Sequence, residues 1–551
     1  MPHLPSHDAA APDALDVSNA AAIEMSSAPI DERPLKKVKF ADGTSPTDVA
    51  DENDVLEEES STPQHLVHPF GIKPIGNFFE DVGKGIRDCR GPGLGRFASL
   101  SDVIMLDFLN WLTPQELCTL SECSRACYVF GSHDELWRTL VLEEMEGNFM
   151  PQKTWKQSYI ATKTGRLELS DKLQPIQVQG FYSDLLFQAF YCAAAPIESS
   201  WIAVETIERR SAKELTLEEY KIQYEAANKP VILTDCIDKW PAMTKWTDEY
   251  LIQQSGNQTF SAGGFQLSME KYLHYSRTLN DDQPLFIFDK QFVSKVPAFG
   301  VDYDVPEYFQ EDFFSLLGAE RRPDHRWLII GPKRSGSSFH IDPNSTNAWN
   351  GVIRGAKKWI MFPPEIVPPG VHPSEDGSDV STPVSLIEWF VTFYPQVKKL
   401  PPQQRPLEGI CREGEIIFVP NGWWHLVLNI EESIAITQNF VCSGNVKNVM
   451  RFLEDKPDQV SGLPMDRRPL LGGMFREALQ EHQPELLAKT DQELGEERAR
   501  RNRKSKWELL LAGGDAEDNT KDGDDTKQTA TSGSNEAHTT QSTGFCFGFS
   551  F

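Results

Sequence analysis

Ser338-Phe339-His340-Ile341-Asp342-Pro343 decides how this chain is read. On an extended strand side chains alternate with period two, so a histidine and a carboxylate two positions apart face the same side. Among twelve histidines only His340 and His133 open a His-x-Asp/Glu pattern. His133 lies in a leucine-rich helical stretch, where residues two apart diverge, and reads as a surface residue. A third ligand is expected from Gly414-Glu415-Ile416-Ile417-Phe418-Val419-Pro420-Asn421-Gly422-Trp423-Trp424-His425: an apolar strand, a Pro–Gly turn and a next strand opening with His425. Two imidazoles and one carboxylate fill three positions of an octahedron and leave three open, as in non-haem Fe(II) oxygenases. Asp342 leaves one positive charge on Fe(II), which the carboxylate of a bidentate 2-oxo acid would cancel.

The far carboxylate of such a co-substrate needs its own partner. Lys357 sits in the run 356–362, otherwise too apolar to hold a lysine casually, and a buried lysine without an anion is costly. Thr437 could add a hydroxyl. The competing reading leaves Lys357 and Lys358 exposed on an edge strand.

Around these residues, short apolar runs at 230–233, 327–331, 338–341, 356–362, 415–419, 425–428 and 434–441 are broken by Gly and Pro. Strands at this density predict a β-barrel or sandwich. Segments 215–226 and 247–254 read as helices. Before the barrel, residues 100–142 carry leucines at helical spacing, with Thr113-Pro114-Gln115-Glu116 as a helix cap. Cys118, Cys123 and Cys127 on that stretch read as small core residues.

The 551 residues suggest two to four folding units, 39% hydrophobic and 25% charged. The net charge of -27 argues against a generally basic nucleic-acid binder, and direct nucleic-acid binding is not expected. Residues 1–60 hold fourteen acidic and four basic side chains, and 515–551 hold seven and two, so the excess acidity lies in the tails. Nine cysteines without a CxxC pair indicate neither a zinc ribbon nor a disulfide framework. A signal peptide and a membrane span are not expected. The basic island Arg33-Pro34-Leu35-Lys36-Lys37-Val38-Lys39 reads as a nuclear-import signal or a solvated charge cluster. A charged helix is expected at 491–511. The aromatic end at 544–551 is either a docking strand or a sticky tail.

Gly331-Pro332-Lys333-Arg334-Ser335-Gly336-Ser337 leading into His340, Ala348-Trp349-Asn350, Lys357, Val419 to His425, and Thr437-Gln438-Asn439-Phe440 closely resemble the jumonji C (JmjC) oxygenases. The nearest branch is the phosphatidylserine-receptor-like one, whose members demethylate arginines and hydroxylate lysines. The likeness runs over 201–441. It implies a double-stranded β-helix (cupin or jelly roll), Fe(II) held by His340, Asp342 and His425, and 2-oxoglutarate held by Lys357 and Thr437 with Asn350 nearby. The implied reaction takes O2, converts the 2-oxo acid to succinate and hydroxylates a C–H bond. At Ser337 the branch has threonine, which keeps the hydroxyl. At Phe286 it has a tyrosine that helps bind 2-oxoglutarate.

Residues 99–145 resemble an F-box, apart from Asp102-Val103 where that motif has a proline. A small helical bundle is the other reading. An F-box would bind a Skp-family adaptor and, through it, a cullin ubiquitin ligase.

The chain is therefore expected to be α+β and multidomain. A disordered acidic tail (1–64) precedes an F-box-like helical domain (95–147) and a helical connector (148–200). The JmjC domain (201–465), a helical extension (466–514) and a disordered acidic tail (515–551) follow. The expected activity is hydroxylation of lysine, or demethylation of methylated arginine or lysine, on nuclear proteins such as histones or RNA-processing factors. Cytoplasmic residence is the alternative location, and a non-catalytic F-box adaptor the alternative function.

Overall fold

In the computed structural model, residues 66–166 and 174–511 are described. The two expected disordered tails, the basic island and the aromatic end lie outside the described residues.

Fifteen strands are described: β1 Arg209–Ser211, β2 Val231–Thr234, β3 Thr259–Ala262, β4 Phe265–Ser268, β5 Ile287–Asp289, β6 Arg326–Gly331, β7 Gly336–His340, β8 Asn347–Arg354, β9 Ala356–Phe362, β10 His372–Pro373, β11 Val380–Ser381, β12 Leu407–Arg412, β13 Ile416–Val419, β14 Trp424–Asn429 and β15 Ser433–Phe440. Nine of them form a sheet in the order β1-β2-β13-β8-β15-β6-β5-β3-β4, and four form a second in the order β12-β9-β14-β7. Interleaving of distant strands, almost all antiparallel, is the double-stranded β-helix expected from the sequence.

Alternation sets the layers. On β15, Ile434 and Ile436 join the core that underlies the helices, while Thr437 and Asn439 line the cavity within the barrel. On β9, Ile360 and Phe362 pack outward with Leu426 and Leu428 of β14, whereas Lys357 and Trp359 point inward. Because both faces of these strands are buried, they read as continuous apolar runs rather than as alternation. β9 lies between β12 and β14, so it is not the edge strand that would have left its two lysines exposed.

The helical stretch forms Asp102–Leu109, Pro114–Cys123, Arg125–Gly131 and Asp134–Met145. Thr113 and Glu116 close a capping box on the second of these, satisfying two orphan N–H groups. Leu109, Phe130 and Trp137 share one apolar core with Leu328, Ile330 and Ile436 of the sheet. His133 departs from expectation: it precedes Asp134–Met145 as cap residue and its side chain is only 11% exposed. Of the three nearby cysteines only Cys127 is buried; Cys118 and Cys123 are exposed.

At the C-terminal end Val446–Asp455, Leu471–His482 and Pro484–Leu511 pack on Phe313 and Phe314 through Val449, Leu453, Phe475 and Leu487. The last helix begins before the expected 491 because Pro484 is well placed in a first turn. No helix among the described residues is long and apolar enough to cross a membrane.

Candidate active site

His340 and His425 are direct cross-strand partners of β7 and β14, with ring centroids 4.1 Å apart. Asp342 follows the end of β7 on backbone that stays extended (φ -60°, ψ 141°), so the two-residue alternation carries past the strand. The metal-binding atoms of His340, Asp342 and His425 all lie within 4.8 Å of one another, and His425 Nε2 is 3.9 Å from Asp342 Oδ1. β14 opens at Trp424, one residue before the expected His425.

Each imidazole is oriented by its own backbone. His340 Nδ1 lies 2.8 Å from the Ser338 carbonyl, and His425 Nδ1 lies 3.0 Å from the Trp423 carbonyl. A carbonyl only accepts, so each Nδ1 carries the proton and each Nε2 keeps its lone pair for a ligand. Burial pushes both rings down to about 4, helped at His340 by the neighbouring His425, so both are neutral at pH 7. Burial pushes Asp342 up to about 6, and its Oδ2 is a buried acceptor without a hydrogen-bond partner. Two neutral nitrogen donors beside a costly, under-satisfied carboxylate suit a divalent cation of intermediate hardness, and Fe(II) fits that set.

The same cavity is lined by Ser337, Asn350, Lys357 and Thr437, and also by Phe286, Trp359, Asn429 and Asn439. Lys357 is 2% exposed. Burial pulls its ammonium down to about 8. It therefore offers the cavity a cation with no carboxylate beside it. Asn350 contributes a buried Oδ1 without a partner. The Thr437 hydroxyl already donates to the Trp349 carbonyl at 2.8 Å, so in this arrangement it offers a ligand its lone pairs and not its proton.

Ser337 reaches the cavity for a reason alternation does not supply. His340 pairs with His425 but Ser337 pairs with Val427, so β7 holds one extra residue. That bulge turns positions 337 and 340, three apart, toward one side. Asn429, Trp359 and Asn439 were given no role from sequence; their signal was a two-residue step from Val427, Lys357 and Thr437 respectively. Trp359 also lies over the His425 ring, with centroids 5.9 Å apart and planes at 27°.

A second grouping of possible ligands, Glu225, Glu311 and Cys442, is engaged in part, with Glu225 Oε2 buried and without a hydrogen-bond partner. Glu311 accepts from Lys221 at 3.1 Å and from the Ser443 backbone and hydroxyl at 2.7 Å. Glu225 Oε1 accepts from the Gly444 N–H at 3.1 Å.

Fold and site together define an oxygenase that uses iron and 2-oxoglutarate. A cupin-like domain family matches residues 262–443. The chain is 44% identical over 443 residues to the arginine-specific demethylase JMJ22 of Arabidopsis thaliana, covering 80% of this chain and 86% of that one. It is 38% identical over 299 residues to the bifunctional arginine demethylase and lysyl-hydroxylase psr-1 of Caenorhabditis elegans (51% and 70% covered). Over 157 residues it is 35% identical to the 2-oxoglutarate and iron-dependent oxygenase JMJD4 of Gallus gallus (28% and 35% covered). The chain belongs to the JmjC family of cupin-like, iron- and 2-oxoglutarate-dependent oxygenases.

Proposed function

We propose that this oxygenase modifies protein side chains, hydroxylating lysine or demethylating methylated arginine or lysine, on nuclear substrates such as histones or RNA-processing proteins. The observation that carries the reading is the identity to an arginine-specific demethylase over 80% of this chain and 86% of that one. When bound, iron with 2-oxoglutarate and O2 supplies the oxidising power for C–H hydroxylation, the co-substrate leaving as succinate and carbon dioxide. The protein's own part is placement. His340 and His425 present neutral nitrogens, Asp342 supplies the compensating charge, and Lys357 meets the far carboxylate. Packed Trp359, Val419 and Val427 form an apolar wall of that pocket, which strengthens the interaction between charges placed against it. On lysine the outcome is a stable alcohol. On an N-methyl group the alcohol collapses to formaldehyde and the demethylated amine.

Succinate release from 2-oxoglutarate by the purified protein with Fe(II) and ascorbate tests the activity, and His340→Ala should abolish it. Mass spectrometry of lysine and methyl-arginine peptides then separates gain of one oxygen from loss of one CH2. Turnover with neither product on any protein peptide would count against a protein substrate. Nuclear residence is proposed on the basic island 33–39, with the cytoplasm as alternative.

A further reading concerns the helical stretch. Val103, Ile104, Phe108 and Trp111 are exposed, Trp111 at 87%, and Phe97 stacks on Phe108 at 6.0 Å. An apolar face of this kind supports docking of a Skp-family adaptor, and through it a cullin ligase, by an F-box-like segment. Co-purification with a Skp-family protein, lost in Trp111→Glu with Ile104→Glu, is the expected result.

A further inference from the structure

The turn that delivers His425 is held by asparagine amides. Asn421, 7% exposed, donates its backbone N–H to Asn347 Oδ1 at 2.8 Å. Its Nδ2 donates to Asn347 Oδ1 at 3.1 Å and to Asn228 Oδ1 at 3.0 Å. Its carbonyl accepts from Asn228 Nδ2 at 3.1 Å, and its Oδ1 accepts from Asn448 Nδ2 at 2.8 Å. Every polar group of this residue is thus engaged, by amides from three separate places: β8, the helix Val446–Asp455 and the segment after a π-helical turn, Lys221–Glu225.

Asn228 is itself held at φ +50°, a left-handed conformation that few residues other than glycine, asparagine and aspartate adopt readily. From there its carbonyl accepts the Trp423 indole N–H at 2.8 Å, and the Trp423 carbonyl accepts the His425 Nδ1 proton at 3.0 Å. One relay of contacts runs from Asn228 through Trp423 to the imidazole. His340 has the same arrangement with the carbonyl two residues before it, but that residue, Ser338, is tied by its hydroxyl to the Pro383 carbonyl and not to the asparagines. The two rings are therefore fixed by independent devices.

We infer that Asn421 and Asn228 are positioning residues for His425, an amide clamp that aims the ring and fixes its tautomer through Trp423. The inference rests on His425 being an iron ligand. Partners of this outer kind are worth about 10–100-fold in metal affinity.

The test uses the full-length protein, anaerobic Fe(II) titration, and ring 15N NMR of the metal-free form at pH 7. Wild type should bind Fe(II) and show both rings protonated at Nδ1. Asn421→Ala should weaken Fe(II) binding about 10–100-fold and give a tautomer mixture at His425, with His340 unchanged. Asn228→Gly keeps the carbonyl that holds Trp423, relaxes the backbone and loses only the amide, so it should shift both readouts in the same direction but less. If Asn421→Ala does not fold, Asn228→Gly decides. Folded variants that bind Fe(II) like wild type would overturn the clamp, and so would a loss that disturbs both histidines alike. Wild-type protein that takes up no Fe(II) would instead remove the iron reading, and the clamp with it.

Discussion

Lys357 and Lys358 are chain neighbours on β9 with opposite surroundings. Lys358, fully buried, places its Nζ 2.8 Å from Glu408 Oε2 and 2.6 Å from the Val204 carbonyl. Lys357, 2% exposed, faces the cavity with no carboxylate beside it. Strand alternation sends adjacent side chains to opposite faces, so one lysine is neutralised by the fold and the other faces the cavity without a counter-charge.

Holding Lys357 costs the empty protein stability. Burial takes it from 10.5 to about 8, which at 1.36 kcal/mol per pK unit is roughly 3 kcal/mol. The folded value is depressed, so below pH 8 both states are charged and the whole penalty is present; it fades as pH rises toward 10.5. Lys357→Met should therefore raise the melting temperature of metal-free protein at pH 7, and wild type should close that gap as the pH is raised. The same variant should lose 2-oxoglutarate binding by calorimetry. A variant that melts lower at pH 7 would show that the lysine has a partner inside the fold.

Lys358→Met should behave in the opposite sense. It strands Glu408, 5% exposed, with Tyr394 at 3.0 Å as its remaining side-chain partner. Removing one member of a buried pair costs about 3–5 kcal/mol. Thermal or urea unfolding should show that loss. 2-Oxoglutarate affinity of the surviving folded fraction should be unchanged, because this lysine points away from the cavity.

The contrast also marks what sequence could carry. His340, Asp342 and Lys357 were legible because each depends on a two-residue alternation and on a polar side chain in apolar company. β8 was not: Asn347, Asn350 and Gly351 are poor strand formers, and the strand exists because β13 and β15 bind both its edges. Ser337 needed the bulge, which depends on where β14 sits opposite. In the helical stretch spacing alone did not separate buried Leu109 from exposed Val103, since the helices packed on one face, Arg125–Gly131 and Asp184–Ala194, come from later in the chain. The sequence shows that Thr437 could add a hydroxyl, and only the folded backbone reveals the Trp349 carbonyl that takes its proton.

Phe286 lines the cavity where a tyrosine would add one hydroxyl toward the co-substrate. A single neutral hydrogen bond is worth about 0.5–1.5 kcal/mol. Phe286→Tyr should tighten 2-oxoglutarate binding about 2- to 10-fold, read as a lower KM for 2-oxoglutarate with kcat little changed. An unaltered KM would mean that position 286 does not reach the bound acid.

Gly336 opens β7 at φ +149°, and a Cβ built there would lie 1.9 Å from the Val427 carbonyl oxygen. Backbone cannot be displaced as a flexible side-chain end can, so alanine must move β7 away from β14. Strain of this kind costs about 1–3 kcal/mol, but the larger effect is local. The displaced strand carries both Ser337 and His340, and the pairing it loosens is the one that sets His340 against His425. Gly336→Ala should therefore weaken Fe(II) binding and turnover far more than it lowers the melting temperature of metal-free protein. Equal proportional losses in all three would place the effect in general stability. Wild-type Fe(II) affinity in a folded variant would show that metal binding does not depend on the β7–β14 register.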